Sequence, residues 1–181
     1  MSAVHISTSG HFHIVGAGDR SAYIILGSLV WLYAACRAAW VPWVHDESTS
    51  LFWFLERGLF LPYRALWDAG NHFLSSAIGV FGHKLWGLSL FGSRVGSLLA
   101  FPVYAWAAWH LGARVQHRTV RWTLWSALLL CPFVLDFFSL FRGYALGLAF
   151  ALAALEMGLR FQADARDRSL FLLLFFLSLA A

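Results

Sequence analysis

Four long apolar stretches alternate with short polar ones along the chain. A helix needs about 20 mainly apolar residues to cross a bilayer, and this length is met by Ser21–Val41, Ser93–Ala113, Trp122–Leu140 and Tyr144–Phe161. A fifth apolar stretch, Ser169–Ala181, is too short to cross and ends with the sequence. We therefore predict an all-α polytopic membrane protein with four full transmembrane helices and a truncated fifth. We also expect the chain to be the N-terminal part of a longer protein.

The segment Pro42–Gly92 between the first two spans is too long and too apolar to be a bare loop. We predict two amphipathic helices in it, Ser48–Leu61 in the membrane interface and His72–Trp86 on the membrane surface. Asn71 stands where a helix N-cap is favoured. A full crossing by His72–Trp86 would invert every later span, so we reject it. The surface helix is indicated by polar or small residues at helical spacing, namely His72, Ser75, Ser76, Gly79 and His83.

The composition supports the same class of protein. Hydrophobic residues make up 60% of the chain and charged residues 12%, against about 45–50% and about 25% in soluble domains. The 10 Trp and 17 Phe residues suit a chain with many membrane–water interfaces. We interpret the net charge of +4 as a topology signal and predict no nucleic-acid partner. Cys36 and Cys131 fall in different spans without metal or redox spacing, and we interpret them as small apolar side chains.

The charges of the short loops predict the orientation. Gly112–Arg121 and Arg160–Arg168 are rich in arginine, whereas the turn between the third and fourth spans holds only Arg142. Basic loops collect on the cytoplasmic side, so residues 1–20 should form a cytoplasmic tail and residues 21–181 a transmembrane module. The first outer loop, Pro42–Gly92, then shares the outer face with Arg142.

Asp46 and Glu47 follow the first span within a few residues. One interpretation is structural, because carboxylates are favoured at a helix N-terminus, where backbone N–H groups lack partners. The other is catalytic, since a carboxylate at the membrane surface could polarise or deprotonate an acceptor hydroxyl or amine. The residue pattern alone leaves both open.

Several cations are predicted to share the outer face with this carboxylate pair. Arg142 could reach for lipid headgroups or grip a phosphate through a two-pronged hydrogen bond. Further cations on that face are Arg57, Arg64, Lys84 and Arg94. A cationic cleft beside two carboxylates suits a substrate with a membrane-embedded tail and a phosphate head.

Other ionisable residues are predicted to contact protein groups. His72 and His83 lie roughly 16 Å apart along a helix and therefore cannot chelate one metal ion together. We interpret His72 as a polar contact in the outer cleft or as a surface histidine without a special role. Ionisable groups within spans usually face a partner, so we predict that Asp136 pairs with Arg142. Glu156 should pair with Arg160, four residues later.

Four segments in order resemble the C-type membrane glycosyltransferases, and more narrowly the superfamily of protein-mannosyltransferases and aminoarabinose transferases. HDEST resembles the Asp-Glu motif of that family's first outer loop. The family's surface helix is similar to the segment AGNHFLSSAIGVFGHKLWG. Its arginine-led second span is similar to SLFGSRVGSLLAFPVYAWAAWHLGARV. Its second outer turn, where a Ser, an Arg and a Tyr recur, resembles FFSLFRGYALGLAFALAALEMGLRF.

The resemblance implies roles for individual residues. Asp46 would be the catalytic carboxylate that activates the acceptor, and Glu47 would support or orient it. Arg142 and Lys84 would face the donor phosphate. The resemblance and the cationic outer face together make Arg94 a candidate for substrate binding, and His72 and Tyr144 would line the cleft. The surface helix starts Gly-Asn-His where many members have a proline-rich stretch, which puts the subfamily in question.

The resemblance also implies a reaction and its partners. The enzyme would transfer a sugar, with inversion, from a polyprenyl-phosphate donor to a lipid, glycan or protein acceptor at the outer face of a bacterial inner membrane. Some family members use a divalent metal, although no ligand set in this sequence demands one. The alternatives are a non-enzymatic transport subunit and a lipid-binding or scaffolding membrane protein in which the carboxylates only cap a helix.

Overall fold

The computed structural model describes residues 15–59, 61, 64, 72–163 and 167–180, and its regular elements there are all helical. Helix α2 continues directly into a π-helical segment, Leu51–Glu56, which we call the π segment. In chain order the α-helices are α1 Ala17–Trp40, α2 His45–Ser50, α3 Phe73–Trp86, α4 Leu90–Ala113, α5 Arg118–Leu130, α6 Pro132–Ser139, α7 Tyr144–Ala163 and α8 Asp167–Ala180.

Two helices, α1 and α7, are long and apolar enough to cross a membrane, and α5 with α6 would make a third span if the bent pair counts as one. The all-α prediction is confirmed for the described part of the chain, but the four full spans are reduced to two or three candidates. α4 is as long as α1 and is not among them. It contacts α1, α3, α5, α6 and α7, and its buried face carries Ser93, Arg94 and Ser97. A helix surrounded by protein can hold such residues, and they lower its mean hydropathy. α8 packs on α7 and is too short to cross.

The predicted third span is broken rather than continuous. α5 ends at Leu130 and α6 begins at Pro132, with a bend of 43° between them. Proline has no N–H and disfavours the helical conformation of the residue before it. Cys131 accordingly has the extended angles φ −61° and ψ 125°. The prediction of one uninterrupted helix over Trp122–Leu140 is therefore wrong at this point.

A second proline leaves a backbone carbonyl of α4 free to accept a hydrogen bond from α1. Pro102 lies inside α4, and because it has no N–H, the Leu98 carbonyl loses its usual donor within the helix. The Trp31 indole of α1 donates to that carbonyl at 3.0 Å. Seven residues further along α4, the Tyr23 hydroxyl donates to the carbonyl of Ala105 at 2.7 Å. Two aromatic side chains of α1 thus bind the backbone of α4.

Aromatic rings fill the core where α1, α4 and α5 meet. The Trp125 ring is fully buried and lies 4.8 Å from that of Trp109 and 4.9 Å from that of Tyr23, between centroids. Its indole donates to the carbonyl of Ala108 at 3.1 Å. Gly112 permits this close packing, since a Cβ there would lie 2.0 Å from the indole nitrogen.

Ion pairs collect at one end of the bundle, which we call the Asp19 end. Asp19, in the first turn of α1, accepts hydrogen bonds from Arg118, Arg121 and the Trp122 indole at the start of α5. The loop 114–117 joins the last turn of α4 to the same end.

Glu156 of α7 completes the Asp19 end. It accepts from Arg160 at 2.7 Å and from Arg114 at 3.0 and 3.1 Å. The predicted pair of Glu156 and Arg160 is confirmed, with Arg114 as an additional partner.

The other end of the bundle, which we call the Asp46 end, gathers the last turn of α1, the start of α4, α2 and the turn between α6 and α7. Asp46 and Arg142 meet there across 96 residues of sequence. This meeting confirms that the first loop and the Arg142 turn lie at one end. α1 begins at Ala17, four residues before the predicted start of the first span.

The helices of the first loop differ partly from expectation. In place of a helix over Ser48–Leu61, α2 and the π segment run from His45 to Glu56. The predicted helix over His72–Trp86 is confirmed as α3, and Asn71 lies outside the described residues. Its polar stripe faces the protein, because Ser75, Ser76 and Gly79 are buried. A Cβ on Gly82 would lie 2.1 Å from the carbonyl oxygen of Gly92.

Candidate functional site

The two adjacent carboxylates lie in the first turn of α2 and point to different surroundings. Glu47 has no exposed side-chain area, whereas 55% of the Asp46 side chain is exposed. A Glu47 oxygen accepts the backbone N–H of Val44, the residue that caps α2, at 3.1 Å. Such a reach-back bond satisfies one of the free donors at a helix start. The capping interpretation therefore applies to Glu47, and Asp46 remains accessible.

Glu47 and Arg94 form a buried ion pair. Arg94 Nε lies 2.8 Å from one Glu47 oxygen and Nη2 lies 2.5 Å from the other. The remaining guanidinium contacts are backbone carbonyls after the end of α1 and in its last turn, those of Ala38, Val41 and Pro42, at 3.0, 2.7 and 3.2 Å. A guanidinium has five N–H donors, and these five contacts use all of them. The role predicted for Arg94 in substrate binding thus gives way to a structural one, since no donor is left for a phosphate.

The same carboxylate fixes the turn that carries Arg142. The Phe141 N–H donates to Glu47 at 2.5 Å, and the Ser97 hydroxyl of α4 donates to the Leu140 carbonyl at 2.7 Å. Glu47 thereby holds both α2 and the α6–α7 turn. We conclude that it is a positioning residue, because it fixes the backbone on either side of the contact between Asp46 and Arg142.

Asp46 and Arg142 line one open cavity. The Arg142 Nη2 donates to Oδ2 of Asp46, and about a third of the Arg142 side chain is exposed. The cavity has a volume of about 380 Å³ and is lined by Arg37, Val41, Val44, His45, Asp46, Asp136, Leu140 and Arg142. It therefore contains two carboxylates, two guanidinium groups and one imidazole at a single opening.

Arg37 and Asp136 line this cavity but are not among the site residues that the sequence predicts. Asp136 was predicted to pair with Arg142, but its partner is Arg37, whose Nη2 lies 2.6 Å from it. α6 packs against α1, which brings the two side chains together. Both charges lie inside predicted apolar spans, where ionisable groups usually mark a site. That signal was present in the sequence and could have identified them.

The two arginines of the cavity keep unused donors. The Nε atoms of Arg37 and Arg142 are buried and have no hydrogen-bond partner among the residues that the structure describes. The formal charges of Arg37, Arg142, Asp46 and Asp136 cancel. An anion entering the cavity would meet two guanidinium groups, each already paired with one carboxylate.

His72 and Tyr144, which are predicted to line the cleft, flank the Arg142 turn but are not among the residues that line the cavity. Their ring centroids lie 5.0 Å apart, and the Arg142 guanidinium lies 6.0 Å from the Tyr144 ring. Gly143 has φ +75°, and a Cβ there would lie 2.2 Å from the His72 ring. Burial lowers the pKa of His72 below its usual value, so its ring is neutral near pH 7.

Lys84 is not brought to the cavity. It is exposed near the end of α3 and has no ion pair within the described ranges. As for a metal, no group of three or more His, Cys, Asp or Glu side chains is placed to hold an ion in the described part of the chain.

Comparison of the chain with protein-family models, with curated proteins and with solved structures finds no match.

Proposed function

We propose that this chain carries the catalytic site of a glycosyltransferase that moves a sugar from a polyprenyl-phosphate donor to an acceptor at the outer face of a membrane. The observation that carries the proposal is the contrast between the two neighbouring carboxylates. Glu47 is buried in a saturated ion pair, while Asp46 is exposed at a cavity with two arginines. The same elements hold Asp46 and Arg142 side by side, which a helix cap alone does not require.

The proposal includes a membrane topology. We propose four spans, namely α1, α4, the bent pair α5–α6, and α7, with the N-terminus in the cytoplasm of a bacterium and the Asp46 end at the outer face of its inner membrane. The 24-residue length of α4 supports this arrangement. So does the separation of ion pairs to the two ends, because charges are expensive within the hydrocarbon core.

In the proposed reaction, the donor phosphate and Asp46 compete for Arg142. A phosphate diester that binds Arg142 through two hydrogen bonds would release the Asp46 carboxylate. Asp46 would then take the proton of the acceptor hydroxyl or amine as that group attacks the anomeric carbon from the face opposite the phosphate. The bond from the sugar to the phosphate oxygen breaks, and the lipid phosphate departs against the arginines of the cavity. The sugar is transferred with inversion.

The test is an Asp46→Asn variant of the full-length protein in membrane vesicles. The assay supplies a panel of polyprenyl-phosphate sugars, each with a radiolabelled sugar, and follows transfer to membrane lipid, glycan and protein. Removing a general base costs about 10²–10⁴-fold in rate, so transfer should fall by that factor. Because Asp46 is half-exposed, its ion pair should contribute no more than about 1 kcal/mol to stability, and membrane insertion should be unchanged.

A matched control is Glu56→Gln, which also turns an exposed carboxylate into an amide but lies in the π segment. This variant should transfer sugar at the wild-type rate. Undiminished transfer by Asp46→Asn would overturn the proposal. If the wild type transfers no sugar, and both it and Asp46→Asn insert into the membrane and bind polyprenyl phosphate, the result would instead favour a lipid-binding protein.

A further inference from the structure

A second cavity lies between α1 and α4 toward the Asp19 end. Its volume is about 860 Å³, within the range of about 300–1,000 Å³ that is typical of ligand sites. Along α1 its lining runs from Arg20 to Trp31, which is about 16 Å at 1.5 Å per residue. On the α4 side the lining includes Trp106 and Trp109. We call this cavity the α1–α4 groove.

The floor of the groove is open because of a glycine. Among the described residues, nothing lies within 4 Å of a Cβ built on Gly27, although Gly27 itself is buried. The indole of Trp31 closes one end through its bond to the Leu98 carbonyl. α1 is one of the two helices apolar enough to cross a membrane, so hydrocarbon is the medium that this groove suits.

A positive charge at the end of the groove opposite Trp31 indicates which headgroup a bound lipid would carry. Arg20 lines the groove and is exposed, and it has no ion pair within the part of the chain that the structure describes. The neighbouring carboxylate, Asp19, is already occupied by Arg118 and Arg121. Among the described residues, the Arg20 guanidinium therefore lies without an ion pair where the apolar groove meets the polar end of the bundle.

We infer that the α1–α4 groove binds one anionic phospholipid, with an acyl chain along Gly27 and its phosphate at Arg20. The groove is long enough for a chain that reaches halfway through a hydrocarbon core of about 30 Å. A cation above an apolar slot matches a phosphate above an acyl chain in both charge and order. This site is at the Asp19 end, opposite the cavity of Asp46, and does not depend on the proposed sugar transfer.

The experiment is native mass spectrometry of the full chain in mild detergent with phosphatidylglycerol and phosphatidylcholine of identical acyl chains. One basic side chain at the headgroup should favour phosphatidylglycerol roughly fivefold. Gly27→Leu should abolish retention of both lipids, because its side chain occupies the groove without meeting protein atoms at Cβ. Arg20→Gln should retain the acyl chain but lose the preference for phosphatidylglycerol.

Gly18→Leu is the control, because a Cβ at Gly18 also meets nothing within 4 Å and Gly18 does not line the groove. It should bind phosphatidylglycerol as the wild type does. Leucine is a better helix former than glycine, so both leucine variants should fold, which thermal unfolding would check. Wild-type retention by Gly27→Leu, or an unchanged preference in Arg20→Gln, would overturn the inference. Displacement of phosphatidylglycerol by an equal concentration of undecaprenyl phosphate would also overturn it.

Discussion

The Glu47 carboxylate and the Arg94 guanidinium are fully buried and face each other through two hydrogen bonds, although 47 residues separate them in sequence. Arg94 also binds carbonyls at the end of α1, and Glu47 binds the Phe141 N–H. The pair thus connects α1, α2, α4 and the α6–α7 turn at a single point. The pair therefore holds the backbone that presents Asp46 and Arg142.

The first prediction concerns the stability of this pair. Arg94→Gln leaves the Glu47 charge buried without its partner, and breaking a buried pair in this way costs about 3–5 kcal/mol. Arg94→Lys should recover only part of that loss, because an ammonium offers three donors instead of five. Thermal unfolding in detergent measures both. Lys84→Gln is the control, since Lys84 is exposed, and an Arg94→Gln midpoint equal to that of the control would contradict the assigned role.

Two long helices, one ion pair and the sidedness of the loops could be predicted from the sequence because their signals are local. Apolar length predicts α1 and α7, the spacing of four residues predicts the pair of Glu156 and Arg160, and the loop charges predict that Asp46 and Arg142 lie at one end. Each of these inferences needs only composition or helical geometry.

The internal partners could not be predicted because they depend on packing. An arginine at the start of a span is equally suited to a lipid phosphate or to buried carbonyls, and only the fold brings the end of α1 to Arg94. Asp136 has an arginine six residues later in sequence, yet the contact of α6 with α1 pairs it with Arg37 instead. The break at Cys131 is different, since Pro132 is visible in the sequence and a proline disfavours the helical conformation of the residue before it.

The second prediction separates backbone strain from crowding at Gly143. Gly143→Ala requires a side chain at φ +75°, which costs roughly 1–2 kcal/mol, and it also places a Cβ 2.2 Å from the His72 ring. We expect a larger loss of stability than in Gly58→Ala. Gly58 has φ +66°, but none of the described residues lies within 4 Å of a Cβ there, so Gly58→Ala isolates the strain.

The same comparison includes a relief variant. His72→Ala removes the ring that the new Cβ would meet, so the added cost of Gly143→Ala over Gly58→Ala should largely disappear in the His72→Ala background. Thermal unfolding of six proteins provides the numbers, namely the wild type and His72→Ala, each alone and with either glycine substitution. Equal losses of stability for Gly143→Ala and Gly58→Ala in the wild-type background would show that the His72 ring does not crowd a side chain at position 143.

The third prediction tests whether Trp31 compensates for Pro102. Trp31→Phe removes the indole donor and leaves the Leu98 carbonyl without a partner, which should cost about 0.5–1.5 kcal/mol. In Pro102→Ala the restored backbone N–H can bond to Leu98 within α4, so Trp31→Phe should cost less in that background. A double-mutant cycle of unfolding free energies measures the coupling. Identical costs in the two backgrounds would mean that Trp31 contributes only its ring packing, and that α1 is not attached to α4 through the carbonyl that Pro102 leaves free.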